Sequence, residues 1–260
     1  MTDQRLKVLF FVEGFTDIRF VVGLSEICEL TMMVPERQYA ESGLKARVAQ
    51  SGAQLTVEQI PGGRLEFQAR SLERLWRRAR DFDVILAQEV LRGAFNANVV
   101  GRLSGIPVVM YMGISPLEYF RCRRERGQIS LPRSLLGETV IQTLMTVNGR
   151  LASRCLAMGP YLVDVAARFG ARSENGLYYG VDTDFFRPAS DEERAELRQK
   201  RDLPRDKFVV FFSSRISHEK DPETVLRGVS LARERGLDAV AINLGGGYKD
   251  FLALARQLGL

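Results

Sequence analysis

Short β-rich runs alternate with helix-periodic segments from the first residues onward, and no other feature of the sequence constrains the fold as tightly. Runs at residues 6–12, 30–34, 55–60, 84–87 and 108–111 are β-rich and largely apolar, as suits strands of a sheet covered on both faces. Between them Phe20, Leu24 and Ile27 share one helix face, and Leu65, Ala69, Leu72 and Trp76 recur at spacings of four, three and four. The pattern predicts an α/β chain built on a parallel sheet with helices on both faces. Farther on, residues 154–158 read as a strand, Pro160 opens a helix that Gly170 closes, and residues 177–179 read as another strand. Leu136, Val140, Leu144 and Val147 form a helix stripe that reads as packing.

After residue 180 the pattern changes. GVDTDFFRPAS and the charged run DEERAELRQKRDLPRDK read as a linker over 181–206, its charged part helical and solvated. A second α/β unit then starts at 207, with strands at 208–213 and 239–244. Asp221 and Pro222 open a helix to Arg235, and a further helix follows Gly247. The expected domains are therefore 1–180 and 207–260. Two strands fall short of the roughly five or six that an open doubly wound domain needs, so the sequence is expected to be a fragment of a longer protein, or else a sheet that another chain completes.

Composition narrows the class. No apolar run approaches the roughly 18 residues of a membrane span, and the polar start does not fit a signal peptide. Cys28, Cys122 and Cys155 are widely spaced, which argues against both a disulfide framework and a zinc site and fits a reducing cytoplasm. The net charge of +5 is too weak to indicate nucleic acid, yet suits phosphate-bearing ligands or an anionic membrane face.

Two loops carry the strongest chemistry. In a parallel α/β sheet, ligands bind beyond the carboxyl ends of strands, where the next helix offers unpaired N–H groups. SSRISHEKDPE places Arg215 and Lys220 in such a position, a fork-shaped cation and a point charge suited to paired phosphates, although a solvated basic loop has the same composition. LGGGYKD puts Gly245, Gly246 and Gly247 at the next strand-to-helix junction, where backbone is able to approach a phosphate or ribose, or simply turn.

Taken in order, GVDTDFFRP, the strand, Arg215 with Lys220, and the glycine loop resemble the family 4 retaining glycosyltransferases of GT-B fold. The resemblance implies two Rossmann-like domains facing each other across a cleft. It also implies transfer of a sugar, hexosyltransferase-like, from a nucleotide-diphosphate donor to an acceptor hydroxyl with retention, without metal or cofactor. Arg215 and Lys220 match the residues that hold the donor diphosphate, Gly245 to Gly247 match the glycine loop, and Gly180, Val181 and Asp182 match the entrance to the second domain. His218, the single histidine, falls in the phosphate loop, as a phosphate contact or a solvated residue. The family's pair of glutamates eight residues apart does not occur in this stretch, so the 260-residue chain alone is expected not to turn over. A non-catalytic fragment that binds a nucleotide or a partner is the alternative.

On the acceptor side the resemblance is looser. The family's histidine is replaced by Gln88, or by Met112 or Gly113, and its two-glycine loop by Gly14 alone. Glu13, Glu89 and Glu118 follow the first, fourth and fifth strands, as carboxylates for an acceptor hydroxyl or as solvated loop residues. The acceptor class stays open among saccharides, lipid-linked carriers and small molecules, with cell-envelope polysaccharide synthesis as the implied setting. Residues 116–133 carry five arginines against two glutamates. Arg121, Arg123, Arg124 and Arg126 beside Tyr119 and Phe120 suit an anionic membrane surface or a phosphorylated lipid, or else a mobile surface loop.

Overall fold

The computed structural model describes residues 5–14, 16–176, 181–214, 216–217 and 220–260. Two compact units divide the chain, Met1–Gly180 and Val181–Leu260.

The first unit runs β1 (Lys7–Phe11), α1 (Ile18–Ile27), β2 (Glu29–Pro35), α2 (Glu36–Glu41), α3 (Leu44–Ser51), β3 (Leu55–Ile60) and α4 (Arg64–Arg78). It continues through β4 (Val84–Ala87), α5 (Arg92–Ser104), β5 (Val108–Met112), α6 (Pro116–Glu125), α7 (Leu131–Leu151), β6 (Arg154–Met158), α8 (Pro160–Arg168) and β7 (Ser173–Gly176). The seven strands pair in parallel in the order β3-β2-β1-β4-β5-β6-β7. Side chains alternate across a strand, and here both directions lead into a core. Leu9 and Phe11 of β1 enter one cluster with Ile85, Ala87, Met110 and Met112, while Val8 and Phe10 enter another with Met32, Val34 and Leu86. That double burial is why the central strand sequences are so largely apolar. The chain leaves β1 toward β2 and β3, then returns to lay β4 on the other flank, so the order reverses between β1 and β4. In such sheets a crevice opens at that point, beyond the strands' carboxyl ends.

Three helix faces differ from the sequence expectation. On α4 the buried residues are Phe67, Ser71 and Leu75, whereas Leu65 is 84% exposed, Trp76 57% and Leu72 39%. Phe67 stacks on Phe11 at 5.7 Å, and Asn96 of α5 donates to Ser71 Oγ at 3.3 Å. These partners, distant in sequence, choose the inward face over the more apolar one. On α7 the buried residues are Ser134, Glu138, Met145, Asn148 and Gly149, leaving Leu136 and Val140 exposed and Leu144 and Val147 half-buried. Phe20 and Leu24 of α1 pack against the core as expected, but Ile27 at its last position is exposed. The strand expected at 177–179 lies outside the described residues, and β7 occupies the four positions before it.

The second unit contains α9 (Asp191–Lys200), β8 (Phe208–Phe212), α10 (Pro222–Glu234), β9 (Ala239–Asn243) and α11 (Tyr248–Gln257). β8 and β9 pair in parallel from Phe208↔Ala239 to Phe212↔Asn243. Leu226, Val229, Ala239 and Phe251 are buried, and Phe251 stacks on Phe212 at 6.0 Å. The segment 181–206 groups with this unit. Ser190 and Glu193 form a capping box at the start of α9, and the Arg198 guanidinium donates to the carbonyls of Pro204, Arg205 and Lys207 at 2.7 to 3.0 Å.

Candidate functional site

In the second unit the two ligand-suited loops are tied together. The Ile216 N–H donates to the Gly246 carbonyl at 2.8 Å. The Asn243 side-chain amide donates to the carbonyls of Phe212 and Ser214 at 3.1 and 3.0 Å. Gly247 has φ +87°, and a Cβ there would stand 2.9 Å from Ile216 Cβ, so both conformation and space demand glycine. Gly245 and Gly246 are exposed beside it. Lys220 is exposed, one residue before Asp221, whose carboxylate accepts from the Thr224 hydroxyl at 2.8 Å as α10 begins. The Ser217 hydroxyl and Asn243 Oδ1 are buried without hydrogen-bond partners among the described residues. Arg215, His218 and Gly180 lie outside the described residues. A cation, exposed glycine backbone and the unpartnered Ser217 hydroxyl thus stand at the carboxyl ends of β8 and β9. That set is able to hold an anionic group.

In the first unit Glu13 and Glu89, named separately from the sequence, come together where the strand order reverses. Glu13 Oε1 pairs with the Arg92 guanidinium at 2.7 Å, and its Oε2 accepts from the Gly93 N–H at 3.1 Å. Glu89 Oε1 accepts from the same Gly93 N–H and from the Ala94 N–H at 3.2 Å. Both carboxyls thus cap the first turn of α5, where unpaired N–H groups and the helix dipole favour negative charge. Burial pushes the Glu89 carboxyl up to about 8, the Glu13 charge and the hydrogen bond that protonated Glu89 donates to Glu13 add to it, and the two backbone N–H groups oppose it. Glu89 therefore keeps a proton at neutral pH and serves as a hydrogen-bond donor as well as an acceptor. Gly93 makes this possible, since a Cβ there would lie 2.8 Å from Glu89 Oε1 and 2.6 Å from the Phe11 ring. Glu13 also lines an open cavity of about 340 Å³ with Arg37, Glu41, Arg64 and Phe67.

The other acceptor-side candidates stand apart from this pair or play backbone roles. The Gln88 N–H donates to the Phe11 carbonyl at 2.9 Å, continuing the β1–β4 ladder. Gly14 is exposed and has open space where a side chain would go, so packing does not require glycine there. Glu118 accepts from the Tyr161 hydroxyl at the start of α8 and is not part of the Glu13–Glu89 pair.

Asn148 of α7 supports the loop that carries Glu89. Its amide donates to the carbonyls of Val90 and Leu91 at 3.0 and 2.6 Å, and its Oδ1 accepts from Asn98 at 3.3 Å. Sequence reading missed it because a buried asparagine at an apolar-looking helix position has no local signature. Asn148→Ala takes the amide from the Val90 carbonyl and one of two donors from the Leu91 carbonyl, which the Phe95 N–H still reaches at 2.9 Å, and is expected to cost about 1–3 kcal/mol, measured by urea unfolding. Unchanged stability would show that water replaces the amide.

The basic segment is ordered as α6. Arg121 and Arg124 both reach Glu138, at 2.9 and 2.7 Å, and the Ser134 hydroxyl donates to the same carboxylate at 2.8 Å. The Arg121 hydrogen bond above all, then Ser134, holds the Glu138 carboxyl below its usual range. These two arginines fasten α6 to α7. Arg123 donates to Gln128, and Arg126 is exposed.

No family model matches the chain. In sequence it is similar to the D-inositol 3-phosphate glycosyltransferase 1 of Catenulispora acidiphila, 28% identical over 160 residues, which are 61% of this chain and 36% of that protein. In structure it is similar to Anabaena HepE solved with UDP and glucose, with a TM-score of 0.66 and 16% identity over 97% of this chain and 65% of that one. Staphylococcus aureus MnaA with UDP follows at 0.55 and 13%, over 97% of this chain and 66% of that one. The chain thus spans about a third of the curated relative and about two thirds of these two structures. The fold is α/β of GT-B type, with a seven-stranded Rossmann-like sheet in the first unit and two paired parallel strands in the second.

Proposed function

We propose that this chain, similar in sequence and fold to glycosyltransferases of GT-B type, belongs to an enzyme that moves a sugar from a nucleotide-diphosphate donor to an acceptor hydroxyl, with retention and without a metal. One observation carries the reading: the Ile216–Gly246 bond joins the basic loop and the glycine loop into a single anion-suited surface at the carboxyl ends of paired parallel strands. The leaving group of such a reaction is a nucleoside diphosphate, and fixed cations stabilise the charge it gains as the glycosidic bond breaks. Lys220 supplies one cation and Arg215 the other, His218 adds a phosphate contact, and Gly245 to Gly247 admit the donor close to backbone.

The acceptor, a saccharide, a lipid-linked carrier or a small molecule, is assigned to the first unit. There Glu13 accepts a hydrogen bond from an acceptor hydroxyl while protonated Glu89 and Arg92 hold the carboxylate in place. The inositol phosphate in the name of the Catenulispora relative suits a cavity that Arg37 and Arg64 line together with Glu13.

UDP is the probe, chosen because it is bound in the HepE and MnaA structures. Lys220→Ala and Arg215→Ala are each expected to weaken UDP binding by about 1.5–3 kcal/mol, roughly ten- to a hundredfold by calorimetry, with the melting temperature unchanged. Equal affinity in both variants and the parent protein would leave these cations as solvated surface charge and overturn the donor assignment.

A further inference from the structure

The exposed face of α4 has no role in the site described above. Leu65, Ala69, Leu72 and Trp76 lie within roughly a sixth of the helix circumference, all exposed, while Phe67, Ser71 and Leu75 bind the helix to its own unit. Keeping that much apolar surface in water is unfavourable, and a rim of charge around such a stripe marks a contact surface. α4 carries five arginines against two glutamates. Arg70 and Arg77 pair with Glu66 and Glu73 at 3.6 and 2.6 Å, and Arg78 pairs with Glu58 and Asp81. Arg64 and Arg74 have no ion-pair partner among the described residues. Arg70, Arg74 and Arg77 also line an open groove of about 350 Å³ with Gln59 and Pro61.

We propose that α4 is an interfacial helix on which the protein rests against an anionic lipid surface. Leu65, Leu72 and Trp76 enter the boundary between headgroups and acyl chains, and Arg74, with the reach of its neighbours, meets lipid phosphates. The combination of an apolar stripe, a tryptophan and flanking arginines is what a helix lying in the membrane plane requires. None of the described helices is long and apolar enough to cross a membrane, so the contact is a surface one. A second copy of this chain fits worse, because two α4 helices brought face to face would oppose their own excess of arginine. The proposal moves lipid contact away from α6, where Arg121 and Arg124 are already held by Glu138. It does not depend on sugar transfer.

Trp76 is the only tryptophan in the protein, so its emission reports on this face alone. With vesicles of phosphatidylcholine containing roughly one third phosphatidylglycerol, the emission is expected to shift to the blue as the protein co-sediments with lipid. Leu65→Ser with Leu72→Ser is expected to weaken vesicle binding by roughly tenfold or more. Arg74→Gln should weaken it about fivefold at low salt and hardly at all at high salt. Both sites are exposed, and a thermal melt checks the fold; should the double variant fail to fold, the Trp76 shift and Arg74→Gln still decide.

Co-sedimentation without a change in Trp76 emission, or no binding at all, would overturn the proposal. So would a loss of binding in Arg123→Gln with Arg126→Gln while the double serine variant still binds. A blue shift that appears with protein concentration and without lipid would assign the face to a second copy instead.

Discussion

Glu89→Gln is expected to make the protein more stable at pH 8 than the unsubstituted chain, by roughly 3–5 kcal/mol. The folded carboxyl is raised to about 8, far above the value of 4.5 it has when solvated. A carboxyl raised in this way binds a proton in the folded protein over a range where the unfolded chain has lost it. Its contribution is therefore most favourable below about 4.5 and disappears progressively as pH rises through about 8. Glutamine reproduces the protonated form: its oxygen accepts from Gly93 and Ala94, and its amide donates to Glu13, with no proton to lose. The difference between variant and parent should be near zero at pH 4.5 and grow across the interval. Urea unfolding at half-unit steps of pH measures it, and parallel profiles would show that Glu89 ionises freely. If an acceptor hydroxyl binds at Glu13, the variant should keep acceptor affinity at neutral pH, since the proton it imitates is already present there.

Gly93→Ala is the second large effect, and its sign is unusual. Within a helix, glycine to alanine ordinarily stabilises by up to about 1 kcal/mol. Here the added methyl would stand 2.6 Å from the fully buried Phe11 ring, 2.8 Å from Glu89 Oε1 and 3.3 Å from Glu13 Oε2. Phe11 is stacked on Phe67 and has nowhere to retreat, so α5 must move and the carboxyls must release its first turn. Overpacking costs about 1–3 kcal/mol, and the weakened caps add about 1 each, giving roughly 3–5 kcal/mol in all. A fall in melting temperature of about 10 °C is the expected reading for a unit of this size. A rise would mean that the two carboxyls are not packed against the helix start. In the same preparation Gly14→Ala should be nearly silent, because nothing lies within 4 Å of the added atom.

The strands were legible because both faces of the central sheet are buried, which fills its strands with apolar residues, and because helix-periodic segments set them apart. Leu55–Ile60, Val84–Ala87 and Arg154–Met158 have the bounds expected from sequence. Helix faces were less legible because polar residues were taken for solvent-facing ones. Ser71, Glu138 and Asn148 are buried, each satisfied by a partner far along the chain: Asn96, the arginines of α6, and the Val90 and Leu91 carbonyls. With those positions turned inward, Leu72, Trp76, Leu136 and Val140 were left outside.

The site divides the same way. Glu13 and Glu89 were identifiable one at a time as carboxylates after parallel strands, but 76 residues separate them, and only the adjacency of β1 and β4 makes them a pair. Arg92 and Gly93 escaped notice altogether. A glycine at the second position of a helix, four residues after an acidic loop residue, was the available signal. On the other unit, the glycine loop and Lys220 lie beyond paired strands as their spacing implied.

The two-stranded sheet of the second unit has a kinetic consequence. β1 is hydrogen-bonded on both flanks, whereas β8 and β9 each have one partner among the described residues, and Phe208 and Phe211 of β8 are exposed. Opening such a pair uncovers little apolar area, so it opens often and by itself, while amides in β1 wait for the whole seven-stranded sheet to come apart. Deuterium should enter β8 and β9 long before it enters β1 and β4. The anion-suited loops are mounted on the part of the molecule that breathes most readily, and any ligand that clamps Ile216 to Gly246 would be visible first as a slowing of that exchange.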